Sequence, residues 1–451
     1  MVYKYKLLGK NIALDIESGA IHEIDDCAYD ILDFYPDKSA EEIIYALSNK
    51  YTEDQINSCI LEIDSLIENG LLFTPDETKN EADAETTGPQ IVKALCLHAA
   101  HDCNLKCAYC FAKEGGYRGE RQLMSAETGI TAVDFLIKNS GGRKNLEIDF
   151  FGGEPLMNIE AVKKIVSHCR EAEKRHGKRF RFTLTTNGIL LNEKEIDFIN
   201  GEMDNVVLSL DGRKKINDGM RKKMNGAGSY GAALPKFKNL VEKRNGERYF
   251  IRGTFTRKNL DFSEDVKHIA GLGFKRISVE PVVAPDSEDF AIKNTDVEKI
   301  NNEYEKLTAH MMKMMNTEDE FDFFHFNIDL EGGPCLKKRV TGCGAGVEYM
   351  AVAPDGKLYP CHQFVGMDEF ILGDVFNGIK NNEMRSIFKK SNLYAKPECS
   401  ACWVKYYCGG GCAANAYNMN GDINVPYAIG CELHIKRVEC AILFAAFRTN
   451  D

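Results

Sequence analysis

Three cysteines fall within the eight residues CNLKCAYC, at Cys103, Cys107 and Cys110, spaced Cys-x3-Cys-x2-Cys. Cysteine thiolates are metal donors, and four of them hold an iron–sulfur cluster in the usual case. Three would hold three corners of a [4Fe–4S] cube and leave its fourth iron open to a small molecule. A three-thiolate zinc site completed by a ligand from elsewhere is the alternative. Against zinc, the spacing is unusual and the run follows a predicted strand. A second set lies toward the C-terminal end: Cys343, Cys361, Cys399, Cys402, Cys408, Cys412 and Cys431. A zinc ribbon accounts for paired Cys-x2-Cys units, but not for seven cysteines with these unequal gaps. Cys335, in GGPCLKKRVTGC, follows a constrained Gly-Pro turn and is a candidate for a further ligand. The remaining five of the 16 cysteines, Cys27, Cys59, Cys96, Cys169 and Cys440, lie in predicted helices or strands and read as buried, inert thiols.

The elements that must position the first set begin at residue 91. Strand candidates IVKALCLHAA, NLEIDFF, RFTLTT, NVVLSL, YFIRGTF and KRISVEPVV alternate with stretches of helical character. Such a βα repeat predicts a parallel sheet or barrel, whose active residues sit beyond the C-terminal ends of the strands. Four polar motifs fall there: Cys103–Cys110, GGEP (152–155), TTNG (185–188) and SLDG (209–212). Together they describe one site. Asp211 in the last of them could equally cap the helix that follows. The Met-rich TAHMMKMMN (308–316) reads as packing.

Cys103, Cys107 and Cys110, with Tyr109 before the last cysteine, resemble the signature of radical S-adenosylmethionine (SAM) enzymes. GGEP resembles the family's glycine-rich segment. The resemblance implies that the amino and carboxylate groups of SAM chelate the open iron, and that Gly152, Gly153 and Glu154 hold the SAM amino group. Asn187, Ser209 and Arg221 resemble polar positions that meet the ribose and carboxylate. It also implies the chemistry: a reduced cluster cleaves SAM to methionine and a 5′-deoxyadenosyl radical, which takes hydrogen from an unactivated carbon. The C-terminal pattern, with Gly356 set before Cys361 as Gly-x4-Cys, resembles the SPASM extension of these enzymes, which binds two auxiliary [4Fe–4S] clusters. By that pattern Cys399, Cys402, Cys408 and Cys431 close one cluster, and Cys343, Cys361 and Cys412 hold three corners of the other. The eighth position is Cys335, or an iron left open for a substrate thiolate. The expected cofactors are thus SAM and three [4Fe–4S] clusters.

Residues 1–75 predict a small α/β domain. YKYKLLGKNIALDIESGAIHEI reads as short strands with a turn at Ser18-Gly19. Capping boxes at Ser39–Glu42 and Thr52–Gln55 start two helices. Ile56, Ile60, Ile63 and Ile67 share a face of the second, Gly70 ends it, and LLF (71–73) reads as a closing strand. The domain resembles a winged helix, and within that class the peptide-recognition element of peptide-modifying enzymes, which adds a leader peptide as a strand at a sheet edge. An acidic linker (76–90) joins it to a partial (β/α)6 barrel (91–320) and a SPASM domain (321–451). CFAKEGGYRGERQLMS (110–125) and CGAGVEYMAVAPDGKLYPCHQFVG (343–366) resemble the maturases of small cysteine-rich "six cysteines in forty-five" (SCIFF) precursors. That resemblance implies thioether formation between a cysteine sulfur and a carbon of another residue, with a flavodoxin or ferredoxin as electron donor. A sulfatase-maturing enzyme or an epimerase shares the barrel and clusters. In the sulfatase-maturing family an Asp follows the Gly-x4-Cys cysteine, where this chain has His362. His362 reads as support for a cluster. A non-enzymatic cluster carrier would not need GGEP.

Composition narrows the partners. The chain carries a net charge of −11, which excludes the basic footprint of a nucleic-acid binder. Residues 1–80 hold 6 Lys, no Arg and 17 acidic residues, so the charge lies there. It suits a basic partner and makes DNA a poor one for the winged-helix segment. The longest apolar run, AILFAAF, is too short to span a bilayer. The first residues lack the apolar core and cleavage site of a signal peptide, and in a reducing compartment clustered cysteines point to metal or catalysis rather than disulfides. The sequence therefore reads as cytoplasmic, with no membrane and no nucleic acid.

Overall fold

The computed structural model describes residues 1–76, 90–328, 330 and 340–449. Most of the expected linker, and Cys335, lie outside the described residues.

Strands β1 (Val2–Leu7), β2 (Lys10–Asp15) and β3 (Ile21–Ile24) form an antiparallel sheet in that order. Three helices follow: α1 (Asp26–Ile31), α2 (Ala40–Leu47) and α3 (Glu53–Glu68). Both capping boxes form. Ser39 accepts from the Glu42 N–H while Glu42 accepts from the Ser39 N–H, and Thr52 pairs with Gln55 in the same way. Ile56, Ile60 and Ile63 are buried. The expected strand at 71–73 does not form. Phe73 takes a left-handed φ of 54°, which breaks an extended path. The Leu71 carbonyl meets the His22 ring at 3.2 Å, Leu72 is buried in the core and Phe73 packs against its edge.

The central unit alternates strand and helix. Its parallel strands are β4 (Ala94–His101), β7 (Asn145–Gly152), β8 (Arg179–Thr186), β9 (Asn205–Ser209), β11 (Tyr249–Phe255) and β12 (Arg276–Pro281), each beside its successor. The intervening helices are α4 (Ala126–Asn139), α5 (Ile159–His176), α6 (Glu193–Glu202), α7 (Lys214–Met220), α8 (Tyr230–Lys243) and α9 (Phe262–Gly271), with α10 (Val297–Met314) after β12. Alternate residues of β7 and β8, such as Leu146, Ile148, Phe180 and Phe182, are fully buried against the helices. This is the period of two that a strand with one covered face requires. Met311 packs in the same core.

Two short strands matter for the site. β5 (Leu105–Cys107) pairs antiparallel with β10 (Arg221–Lys223), so that Arg221 lies directly opposite Cys107. β6 (Gln122–Leu123) pairs with the end of β4.

The sheet continues past both ends of the parallel set. β13 (Asp322–Phe323) joins β12, and β14 (Tyr349–Val352) runs parallel to β4 and leads into β15 (Lys357–Tyr359), β16 (Gly373–Asp374) and β17 (Gly378–Ile379). Helices α11 (Asn382–Lys390), α12 (Ala413–Asn420) and α13 (Ala428–Thr449) complete the chain. AILFAAF lies in α13, where Ala441 and Ile442 are fully buried. Among the described residues no helix is long and apolar enough to cross a membrane.

Candidate functional site

The cysteine loop leaves the C-terminal end of β4. Cys103, Cys107 and Cys110 line one cavity of about 390 Å³ together with Tyr109, Gly152, Gly153, Glu154, Asn187, Ser209 and Arg221. Every residue of the first expected group thus meets at one rim, contributed by the ends of β4, β7, β8 and β9 and by β10.

Close approach explains the glycines. A Cβ on Gly152, whose φ is +121°, would lie 2.3 Å from the Ala100 carbonyl oxygen, and one on Gly153 would lie 2.1 Å from that of Asp102. Such contacts do not occur, so only glycine lets β7 reach the segment that feeds Cys103. The contact is held by hydrogen bonds from the Gly153 N–H to Ala100 (2.8 Å) and from the Glu154 N–H to Asp102 (2.9 Å). Tyr117 donates to the Gly152 carbonyl at 3.0 Å.

Glu154 is buried and ties β7 to β8. Its carboxylate accepts from the Thr186 hydroxyl (2.7 Å), the Asn187 N–H (2.8 Å) and the Leu156 N–H (3.1 Å). Burial nevertheless pushes its carboxyl up to about 7, against the pull of those donors. The Asn187 side chain donates to Asn104 at 2.8 Å and reaches the Cys103 sulfur at 3.7 Å, so it orients the first cysteine as well as lining the cavity.

The capping role open to Asp211 is not the one the structure shows. Helix α7 has no side-chain cap. Asp211 is instead fully buried, accepts from the Tyr109 hydroxyl with both oxygens, and is paired with Arg221 at 3.0 Å. The Thr254 N–H adds a fourth contact at 3.0 Å. An acid just past a barrel strand, ten residues before Arg221, was the available signal. Thr186 and Asn104 were missed although they stand inside the TTNG and CNLKCAYC runs, because nothing local marks their partners, and Tyr117 because only the fold brings it to Gly152.

The second set of cysteines forms two neighbourhoods. Cys431 lies in the field of Cys408, Cys399 and Cys402, and Cys361 in that of Cys412 and Cys343. Cys408, Cys412 and Cys431 open onto a cavity of about 400 Å³, which shares Glu280 to Val283, Gln363 and Asn415 with the first. His362 lines the first cavity, 3.3 Å from the Tyr349 hydroxyl and beside Phe151 and Phe111. Burial holds its imidazole down at about 4. Cys27, Cys96, Cys169 and Cys440 are buried, whereas Cys59 is half-buried.

The donor set fits iron–sulfur clusters. Burial pushes Cys103, Cys361 and Cys431 up to about 12 and Cys107 and Cys399 to about 11. Thiols held so high ionise only when a cation displaces the proton. Cys103, Cys107 and Cys110 line one cavity together, as three donors of one cluster must.

An open parallel barrel with a cysteine loop at its rim and two further cysteine neighbourhoods beside it defines a cluster-dependent α/β enzyme class. Residues 99–256 match the model of the Radical SAM superfamily, and residues 343–403 match that of SPASM, an iron–sulfur cluster-binding domain. An uncharacterised protein of Methanocaldococcus jannaschii is 30% identical over 228 residues, 50% of this chain and 74% of its own. The cysteine-type anaerobic sulfatase-maturating enzyme of Clostridium novyi is 25% identical over 71% of this chain and 87% of its own. The antilisterial bacteriocin subtilosin biosynthesis protein AlbA of Bacillus subtilis is 24% identical over 72% and 68%. Among solved structures, anSMEcpe with bound AdoMet matches 80% of this chain and 96% of its own, with a TM-score of 0.68 at 21% identity. Streptococcus suis SuiB bound to S-adenosylmethionine matches 95% and 98%, with a TM-score of 0.55 at 17% identity. The chain belongs to the radical SAM superfamily and carries a SPASM iron–sulfur cluster-binding domain.

Proposed function

We propose that this protein forms thioether crosslinks, cysteine sulfur to carbon, in a ribosomally made cysteine-rich precursor peptide captured through its leader. The observation that carries this reading is the shared wall between the two cavities. It sets the cysteine loop of the barrel beside the C-terminal cysteines, so that hydrogen removal and sulfur chemistry have adjoining places. SAM on a reduced cluster supplies a radical able to take hydrogen from an unactivated carbon.

The residues divide the work. Cys103, Cys107 and Cys110 would hold the SAM-binding cluster. Gly152, Gly153 and Glu154 would hold the SAM amino group, and Asn187, Ser209 and Arg221 would meet its ribose and carboxylate, with Tyr109 in the same cavity wall. Cys399, Cys402, Cys408 and Cys431 would hold one auxiliary cluster, and Cys343, Cys361 and Cys412 three corners of another. The apolar walls, Val207, Val282 and Val283 among them, keep water from the reacting carbon. A flavodoxin or ferredoxin would supply electrons, and the compartment would be the cytoplasm.

Residues 1–75 would bind the leader. β1 lies against α13, while β3 has no strand partner on its outer edge among the described residues, which leaves that edge for an added strand. Support also comes from coverage. SuiB, whose structure has also been solved with its precursor peptide SuiA, matches 95% of this chain. The SCIFF-type resemblance of residues 110–125 and 343–366 points to the same class of substrate. A second reading, protein modification of the sulfatase-maturating kind, is favoured by the C. novyi relative; epimerisation is the further alternative.

Anaerobic incubation of the reconstituted protein with SAM, reductant and the cysteine-rich peptide encoded beside its gene tests this. Loss of two hydrogens per modified cysteine, with those thiols closed to alkylation, is the expected result. An unchanged peptide mass alongside 5′-deoxyadenosine release would sink the thioether reading and leave the radical site standing.

A further inference from the structure

The five residues between Cys402 and Cys408 are WVKYY, and they contain the only tryptophan of the chain. Besides a contact between the Tyr406 and Tyr394 hydroxyls at 2.9 Å, this run reaches into the N-terminal domain and the residues just after it. The Trp403 ring lies flat on the Tyr3 ring of β1, with centroids 3.9 Å apart and planes 7° from parallel. Lys405 is buried and pairs with Glu17 at 2.7 Å and with Asp76 at 3.0 Å. The Tyr406 hydroxyl donates to Glu17 at 2.6 Å. The same strand is fastened to α13, a few residues beyond Cys431, by the Tyr3 hydroxyl on the Glu439 carboxylate (2.5 Å) and the Tyr5 hydroxyl on the Glu439 carbonyl (2.9 Å).

A short loop carrying two cluster donors would ordinarily be shaped by its own domain. Here the backbone between the donors makes one four-residue turn, Lys405–Cys408, and Trp403, Lys405 and Tyr406 are all held in part by Tyr3 and Glu17 at the far end of the chain. A buried lysine held by two carboxylates has one low-energy position, because moving it would leave charges unpaired out of water. A stacked aromatic pair similarly fixes the plane of Trp403.

We infer that Tyr3 and Glu17 are positioning residues for the auxiliary cluster of Cys399, Cys402, Cys408 and Cys431. The N-terminal domain thereby forms part of the mould for that cluster, besides any role in peptide capture. The inference rests on the ligand assignment proposed above and on no property of the peptide.

The test compares reconstituted wild type with Tyr3→Leu, Tyr3→Phe, Glu17→Ala, Glu17→Asp and Cys402→Ala in the full chain. Iron and sulfide content and an electron paramagnetic resonance redox titration are read for each. Cys402→Ala defines the protein lacking this cluster. Tyr3→Leu and Glu17→Ala are expected to shift the midpoint of that signal alone, or to lose it, while the SAM-responsive signal keeps its intensity. Tyr3→Phe, which keeps the stack, and Glu17→Asp, which keeps the charge, should restore much of the wild-type signal. Wild-type iron content and potential in both Tyr3→Leu and Glu17→Ala would overturn the inference, as would equal loss from all clusters in soluble protein that keeps its helical circular dichroism. Full iron content in Cys402→Ala would instead mean that the ligand assignment has failed. Should Glu17→Ala not fold, Tyr3→Leu decides by the same readings.

Discussion

The Tyr109 hydroxyl donates to both oxygens of Asp211, at 2.9 and 2.7 Å, across 102 positions of sequence. Arg221 pairs with the same carboxylate at 3.0 Å, and its guanidinium lies 5.5 Å from the centre of the Tyr109 ring. One buried acid therefore couples the cysteine loop to β10, whose Arg221 stands opposite Cys107. Asp211 is fully buried and Arg221 nearly so. Removing one partner of such a pair leaves a charge uncompensated.

Asp211→Ala is accordingly expected to lower unfolding free energy by about 3–5 kcal/mol and to weaken retention of the barrel cluster. Anaerobic denaturant titration and iron analysis of the reconstituted protein measure both. Stability within error of wild type would show that the Arg221 charge has another partner.

Two glycines in one chain make a matched pair of tests. Gly153→Ala drives a Cβ to within 2.1 Å of the Asp102 carbonyl, whereas Gly142→Ala meets nothing within 4 Å. The first substitution should move the segment before Cys103 and cut SAM cleavage by about 100-fold, the cost of roughly an ångström of misplacement. The second should leave it unchanged. Release of 5′-deoxyadenosine is the assay, and equal rates in the two variants would refute the close-packing argument.

Glu154 sets a pH dependence whose sign can be worked out. Burial raises its carboxyl from 4.5 to about 7, so the folded state binds this proton more tightly than the unfolded one. Its contribution to stability falls as pH rises from about 4.5 to about 7 and is level above that. The N–H groups of an iron-bound amine need an acceptor, which the ionised carboxylate supplies best. SAM affinity should therefore climb with pH through the same window and flatten above about 7, and Glu154→Gln should bind weakly with no such rise. Equilibrium binding measured between about pH 6 and pH 8.5 would settle it, a flat wild-type profile counting against the role.

Buried cysteines divide into ligands and packing. Cys169 and Cys440 are fully buried in helices α5 and α13, away from both cysteine neighbourhoods in function. Substituting either by alanine should cost about 1 kcal/mol and leave iron content at the wild-type level. Cys361→Ala and Cys431→Ala should each lose iron from a single cluster. Iron-to-protein ratios after anaerobic reconstitution distinguish the groups, and loss of iron from Cys169→Ala would break the division.

Much of this was determined by sequence. The cysteine spacings, the GGEP run and the alternation of apolar strand and polar helix are local patterns, and local patterns specify a parallel sheet with its site at one rim. The capping boxes at Ser39 and Thr52 form as written because their hydrogen bonds close within three residues. What the tertiary structure alone decided is long-range. Asp211 stands before a helix, where a carboxylate commonly caps, yet a buried arginine and tyrosine claim it, since an uncompensated charge in the interior costs more than an uncapped helix end. LLF reads as a strand by composition, but Phe73 turns left-handed and Leu72 is needed in the core. The pairing of Tyr3 with Trp403 and of Glu17 with Lys405 joins opposite ends of the chain. No sequence pattern encodes such contacts, because they depend on where folding places two distant surfaces.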